Sequence, residues 1–404
     1  MSPIPSLPQT RRVTYSRPDR ASVPSAFGWA VYLGASWTWC IWMFLPVLLV
    51  RDYGVAAWWI FAIPNVVGAA AMGWVLRRPE SSADLVARHP QACAAFSWAT
   101  IAFHLFFTFW MIRFAAGDAS LLWVVLAALV AGVMLSRRGT IQLVAAVLFY
   151  AASVGIWIVL ARREGLRWPA PTNMGTPLEL AALAGVCVFG FLLCPYLDLT
   201  FHRARVFAAD RARLAFGLGF GACFAAMIVF TLLYAHLLLD GFVRGPLLTL
   251  VAAHWIVQSG FTIAAHATEL PRRMTATSAA GVVACVAGVA WALSADDFTY
   301  GRLSGGELGY RVFMAFYGLV FPAYVWLCVV PTRRGTPLTP RHVAVFLIAA
   351  LVAAPLYWMA FVEGRMVWVA PALVIVLLAR SLVGVRRTDI APQAPPTGTG
   401  TRAA

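Results

Sequence analysis

Lysine is absent from this 404-residue chain, and acidic residues number only 16. All 31 basic residues are therefore arginine, and charged residues make up 12% of the chain against 61% hydrophobic. With a mean hydropathy of +0.79, this excludes a soluble globular domain, where about a quarter of residues are charged. Metal and redox signatures are missing too. The seven cysteines, at positions 40, 93, 187, 194, 223, 285 and 328, form no CxxC pair and sit almost entirely in apolar runs, as small core residues do. No HxH or HExxH spacing occurs among the seven histidines, so neither a bound metal nor any other cofactor is expected. The formal charge of +15 would suit a nucleic-acid binder, but the arginines lie singly or in pairs beside apolar segments rather than on an interleaved polar face. The expected partners are the bilayer and a small solute, not nucleic acid. The oligomeric state is not readable.

What remains is hydrophobic length. A bilayer core needs roughly 20 apolar residues per helical crossing. Mostly apolar runs fall near 27–50, 54–76, 92–116, 119–135, 140–161, 178–197, 214–238, 246–268, 275–294, 308–331, 343–362 and 366–385. The fold class is an all-α polytopic membrane protein of about twelve transmembrane helices. An even count puts both termini on one side, and the arginines test it independently. Only Arg51, Arg113, Arg162, Arg163, Arg167, Arg244, Arg302, Arg311 and Arg365 fall on the other side, and all the rest share the side of the termini. By the positive-inside rule both termini are cytosolic, in a cytoplasmic (inner) membrane. Residues 1–26, with Arg11, Arg12, Arg17 and Arg20 among Pro and Ser, read as a cytosolic tail, and 390–404 as a disordered Pro/Thr/Gly-rich one. Trp29, Trp58, Trp59, Trp168 and Trp368 lie near span ends, where anchoring in the headgroup layer is the plain reading. Snorkelling explains Arg113, Arg311, Arg365 and Glu363 in the same way.

Polar chemistry in a bilayer belongs where a helix is interrupted. In the first span, Gly34-Ala35-Ser36-Trp37-Thr38-Trp39-Cys40 clusters small and hydroxyl residues between tryptophans, ahead of Pro46. Tight helix packing is one reading of this run. A helix unwound at the midplane, with free carbonyls and aromatic walls, is the other. In the sixth span Gly190 and Pro195 bracket four residues, and Pro195 lacks the donor a helix needs there, so a kink or break is expected. Asp198, His202, Arg203 and Arg205 then crowd the cytosolic end. The two interrupted spans are the first members of two five-span halves running in opposite directions, which points to a transporter site. Among titratable groups near the membrane interior, His104 and His254 are the expected carriers if protons are coupled, and His236 is placed to pair with Asp240. Glu269, at the cytosolic end of the eighth span, could form a gating ion pair with Arg203 or Arg205.

The run Asp198-Leu-Thr-Phe-His202-Arg203, followed by Ala208-Ala209-Asp210 and Ala212-Arg213-Leu214-Ala215, resembles the signature after the sixth core helix of sodium/solute symporters. Leu45-Pro46, Tyr53-Gly54, Trp58-Trp59, Ile63-Pro64-Asn65, Gly68 and Arg77-Arg78 are similar to that family's first two core helices and their turn. The resemblance implies the LeuT-like 5+5 inverted repeat of the amino acid, polyamine and organocation transporters, with repeats at 27–162 and 163–331 and two additional helices over 332–389. It implies an ion site built from carbonyls of the first core helix, near Ala35, and hydroxyls on the eighth, here Ser259 and Thr262. In the family those hydroxyls are adjacent. Here they are three apart, which still shares one helix face.

The expected function is secondary transport of a small organic solute by alternating access, with sodium and proton coupling both open, and not an enzyme activity. Trp37, Trp39 and Phe191 would line the solute site, with Ser36 and Cys194 supplying hydrogen bonds, and Pro195, Asp198 and Arg203 gating or structural. A non-transporting sensor or assembly partner is the alternative. A membrane-embedded transferase would need grouped carboxylates, and Asp118, Glu164, Asp240, Asp296 and Asp297 are scattered.

Overall fold

The computed structural model describes residues 26–116, 139–165, 174–239, 246–271, 273–333 and 336–383. The expected fourth span, 119–135, lies outside them. Among the described residues the fold is helical, apart from one short hairpin. Its helices are α1 (Ala26–Trp37), α2 (Cys40–Tyr53), α3 (Val55–Val75), α4 (Pro79–Arg88), α5 (Pro90–Ala116), α6 (Gly139–Glu164), α7 (Pro177–Leu193) and α8 (Leu199–Ala208). α9 follows through Ala212–Leu218, a π-helical turn at Gly219–Phe224 and Ala225–Leu239. The remainder are α10 (Pro246–Glu269), α11 (Ala276–Ser294), the hairpin β1 (Thr299–Tyr300) and β2 (Leu303–Ser304), α12 (Gly305–Thr332), α13 (Pro340–Phe361) and α14 (Val369–Ala379). Ten of the described helical segments are long and apolar enough to span a membrane, and α1 with α2, bent by 57°, makes an eleventh. These eleven coincide with every expected span outside the undescribed region.

Both interruptions are present. α1 stops because Thr38 and Trp39 leave the helix. The Thr38 hydroxyl donates to Gly34 O at 2.7 Å, and Trp39 adopts extended backbone (φ −89°, ψ 168°). The sixth span breaks at Cys194–Leu197, a 3₁₀ turn, and restarts at Asp198. The Asp198–Arg205 run, expected to crowd the cytosolic end of that span, folds into α8 directly after the break and is covered by other helices: Asp198 is fully buried, as are His202 and, at 3% exposure, Arg205. Its charges are met by protein: Arg205 donates to the carbonyls of Leu76, Arg77 and Ala209, and Arg203 pairs with Glu269 at 2.6 Å.

Two glycines set the geometry around the breaks. Gly54 ends α2 and starts α3 with φ +82°, a turn that an L side chain strains. Gly68 lets α3 lie against the α7 backbone, where a Cβ would stand 2.2 Å from Phe191 O. That carbonyl is four residues before Pro195, which lacks the N–H to receive it. Several surface readings also change. Trp29 and Trp58 are buried, the latter donating to Thr231 Oγ1 at 3.1 Å, whereas Trp59 and Trp368 are exposed as anchors should be. Trp168 lies outside the described residues. Arg311 does not snorkel and is buried in an ion network.

Candidate functional site

The two breaks meet across a row of aromatic rings. Trp37 packs on Trp39 at 4.3 Å and on Phe201 of α8 at 4.8 Å, while Trp42 packs on Phe191 at 5.0 Å and Phe61 at 4.7 Å. Beside them lies an almost wholly apolar cavity of about 80 Å³. Trp37, Trp39, Phe191 and Cys194, four of the five residues expected to hold solute, line it. Ser36 does not. Its hydroxyl lies 3.2 Å from Leu33 O and 3.4 Å from Thr200 Oγ1, whose own proton serves Asp198, so Ser36 stitches α1 to α8. Trp42 was not anticipated. Its ring lines the cavity, and its buried Nε1–H has no hydrogen-bond partner among the described residues. Trp37 and Trp39 have spent theirs on Asn65 Oδ1, at 2.9 Å, and on Ser36 O.

The cavity continues away from the chain's N-terminal side to Asp52, Tyr53, Arg311, Phe361 and Met366. Four charges meet there. Arg51 holds Glu307 through two bonds (2.6 and 3.1 Å) and Asp52 at 2.8 Å, and Arg311 bonds Asp52, Glu307 (2.8 Å) and Phe361 O (3.0 Å). They join the end of α2 to the start of α12. On the N-terminal side the route is packed with side chains: Phe201 against Phe220 at 5.0 Å, Trp29 stacked on Phe207 at 5.9 Å, and the Arg203–Glu269 pair.

Behind the ring row is a polar cluster. The Cys40 N–H, at the start of α2, donates to His104 Nε2 at 3.2 Å, and His104 Nδ1 lies 2.7 Å from Thr100 O. Since a carbonyl only accepts, Nδ1 carries the proton and His104 is the neutral tautomer that caps α2. Asp198 caps α8 in the same manner. Its Oδ1 accepts from Thr200 N (2.8 Å), Thr200 Oγ1 (2.7 Å) and Phe201 N (3.4 Å). His266, which nothing in the sequence singles out, lies with Nε2 3.9 Å from Asp198 Oδ2. The signal for it was weak: a lone histidine in an apolar span, with a partner distant in sequence.

The remaining expectations distribute as follows. Pro195 lies in the 3₁₀ turn of the break. Ser259 and Thr262 are fully buried, and their hydroxyls have no partner among the described residues, so they do not bond back to their own helix. Ala35 is buried on α1, which packs beside α10, with Tyr32 and Phe261 in ring contact at 5.8 Å. His254 faces Ser153 of α6 at 2.9 Å, away from the breaks. His236 comes within 3.9 Å of Glu164, and Asp240 lies outside the described residues. Among the described residues no three His, Cys, Asp or Glu side chains gather as metal ligands.

No family model and no curated protein sequence matches the chain. Solved structures do. The manganese transporter of Eremococcus coleocola, crystallised with an aromatic bis-isothiourea substituted compound, superposes with a TM-score of 0.51 at 13% identity, covering 94% of this chain and 97% of its own. Mhp1, a nucleobase-cation-symport-1 family transporter captured closed with bromovinylhydantoin bound, gives 0.48 at 14% identity, covering 91% and 96%. At this identity the first likeness is one of fold. The chain is a multi-pass membrane protein with the LeuT-like fold.

Proposed function

We propose that the protein is a secondary transporter of the sodium/solute symporter kind, moving a small organic solute across the cytoplasmic membrane by alternating access. One observation carries the reading: the first and sixth spans break opposite each other, and residues of both breaks line a single buried cavity. Unwound helices at the midplane are how transporters of this architecture present a site to both sides in turn. The cavity lining favours a flat or aromatic, mostly apolar solute. The positive-inside distribution orients the protein with both termini cytosolic. The network at Arg51, Asp52, Glu307 and Arg311 then faces outward, and the Arg203–Glu269 pair faces inward. The paired repeats are taken as 27–162 and 163–331, with 332–389 appended. Ala35, Ser259 and Thr262 make the proposed sodium site, supported by two buried hydroxyls without a hydrogen-bond partner among the described residues.

Cys194 is a native reporter of this cycle. In a variant lacking the other six cysteines, reconstituted in vesicles, an impermeant maleimide should label Cys194 from each side in turn as ions and solutes are varied. Labelling from one side only under every condition would argue for a non-transporting protein. Thermal stability with sodium against choline, in the parent and in Ser259→Ala and Thr262→Ala, tests the ion site. A ligand bound only by the folded state raises apparent stability by mass action.

A further inference from the structure

Asp198 uses only half of its carboxylate for the fold. Oδ1 makes every capping bond to α8, a task that a neutral asparagine performs about equally well. Oδ2 is buried, has no hydrogen-bond partner among the described residues, and is aimed at His266 Nε2, which has none either. Both side chains are fully buried. The other imidazole nitrogen, Nδ1, is 3.1 Å from Ser97 Oγ.

Two bare acceptors facing each other repel, so a proton belongs between them. With one proton on Nε2 the imidazole is neutral and the pair carries a net charge of −1, which is costly in a low-dielectric interior. One further proton makes the pair neutral. The other groups around it do not supply that charge. On α5 stand Cys93 and His104, the latter held neutral by Cys40 N–H and Thr100 O. On α10 Glu269 is engaged by Arg203 of α8. His202 of α8 is turned to Ser82 at 2.6 Å and Tyr196 O at 2.9 Å, and Tyr317 of α12 meets the Thr100 hydroxyl. A sodium ion fits the gap poorly, because it seeks several oxygens and here would meet an imidazole nitrogen.

We propose that Asp198 and His266 form a proton-binding site whose occupancy is coupled to the conformation of the α7–α8 break; the coupling rests on the transporter reading, the site itself does not. The link to solute is a single ring. Trp39, which lines the cavity, makes edge contacts with His266 at 5.6 Å and His104 at 6.1 Å. The proton enters from one side, neutralises the pair, and leaves to the other once the break has moved.

Infrared pH-difference spectra of the purified full-length protein test the site without any substrate. Between about pH 5 and 9, a carboxylic C=O band should grow on acidification, vanish in Asp198→Asn and shift in His266→Gln. Asp198→Asn preserves the α8 cap, and a thermal melt confirms that both variants fold. Divided by the rate of the unfolded chain at the same pH, which removes the thiolate's own titration, the Cys194 labelling rate should depend on pH in the parent and not in either variant. Absence of a titrating band, a band untouched by Asp198→Asn, or a carboxylate band that moves with sodium and not with pH overturns the proposal, whichever way Cys194 behaves. A titrating Asp198 band alongside labelling from one side only keeps the proton site and removes the transporter reading.

Discussion

Gly68→Ala is the sharpest test of how the sixth span is held at its break. An added Cβ would lie 2.2 Å from Phe191 O, 2.6 Å from Phe191 C and 3.0 Å from Leu192 N. These are backbone atoms, so no side chain can rotate away. Restoring ordinary contact requires α3 and α7 to part by about 1 Å, which disturbs Phe61 and Phe191, both cavity walls. Overpacking of this kind costs about 1–3 kcal/mol, offset by the roughly 0.5–1 kcal/mol that alanine gains over glycine in a helix. Gly155→Ala on α6 is the matched control, since nothing lies within 4 Å of its added Cβ. Thermal unfolding in one detergent should rank Gly155→Ala at or above the parent and Gly68→Ala clearly below, with faster Cys194 labelling in the latter. If the two variants melt together, the close crossing of α3 and α7 is wrong.

Further expectations follow from the charges. Arg311→Gln removes the buried cation of the network and leaves Asp52 and Glu307 to share Arg51 alone, so it should cost clearly more than Arg51→Gln, whose side chain is 40% exposed and whose loss should cost about 0–1 kcal/mol; equal losses in melting experiments would refute the distinction. His89, between α4 and α5, is held down to about 4 by burial and by the neighbouring Arg88 charge. Its Nε2–H donates to Thr332 Oγ1, whose own proton serves Cys328 O, and Nδ1 accepts from Tyr324. The unfolded chain takes up a proton near pH 6.5 that the folded one refuses, so stability is whole above about 6.5, falls towards pH 4, and levels below. His89→Gln should flatten the melting temperature across that window, and an unchanged slope would count against the assignment. Arg205→Gln should free the end of α3 and speed tryptic cleavage after Arg77; an unaltered digest would show that its bonds to the Leu76 and Arg77 carbonyls do not hold that end.

The spans and both interruptions were legible because hydrophobic length and helix-breaking chemistry are local. Thr38 folding back on Gly34, and Pro195 lacking its donor, act within one helical turn. What the sequence hid was compensation at a distance. His202, Arg203 and Arg205 look like a surface loop because their partners Ser82, Glu269 and the end of α3 come from other helices. Arg311 reads as a snorkelling residue until Asp52 and Phe361 arrive beside it. Ser36 was misassigned because residue type does not say which way a hydroxyl turns, and here Leu33 O claims it. The pairing of Asp198 with His266 depends on the sixth and eighth spans meeting, which no spacing rule encodes.

The short helix α4 takes on mechanical meaning from its attachments. Ser82 bonds His202 at 2.6 Å, and Arg205 grips the carbonyls just ahead of α4, so this amphipathic strip is bolted along the flank of α8. α8 and α4 are thus tied into one piece. In the proposed transport cycle, a tilt of α8 that widens the inner passage would carry α4 with it like a tiller, and an antibody fragment or a crosslink that clamps the tiller would lock the passage without ever touching the cavity.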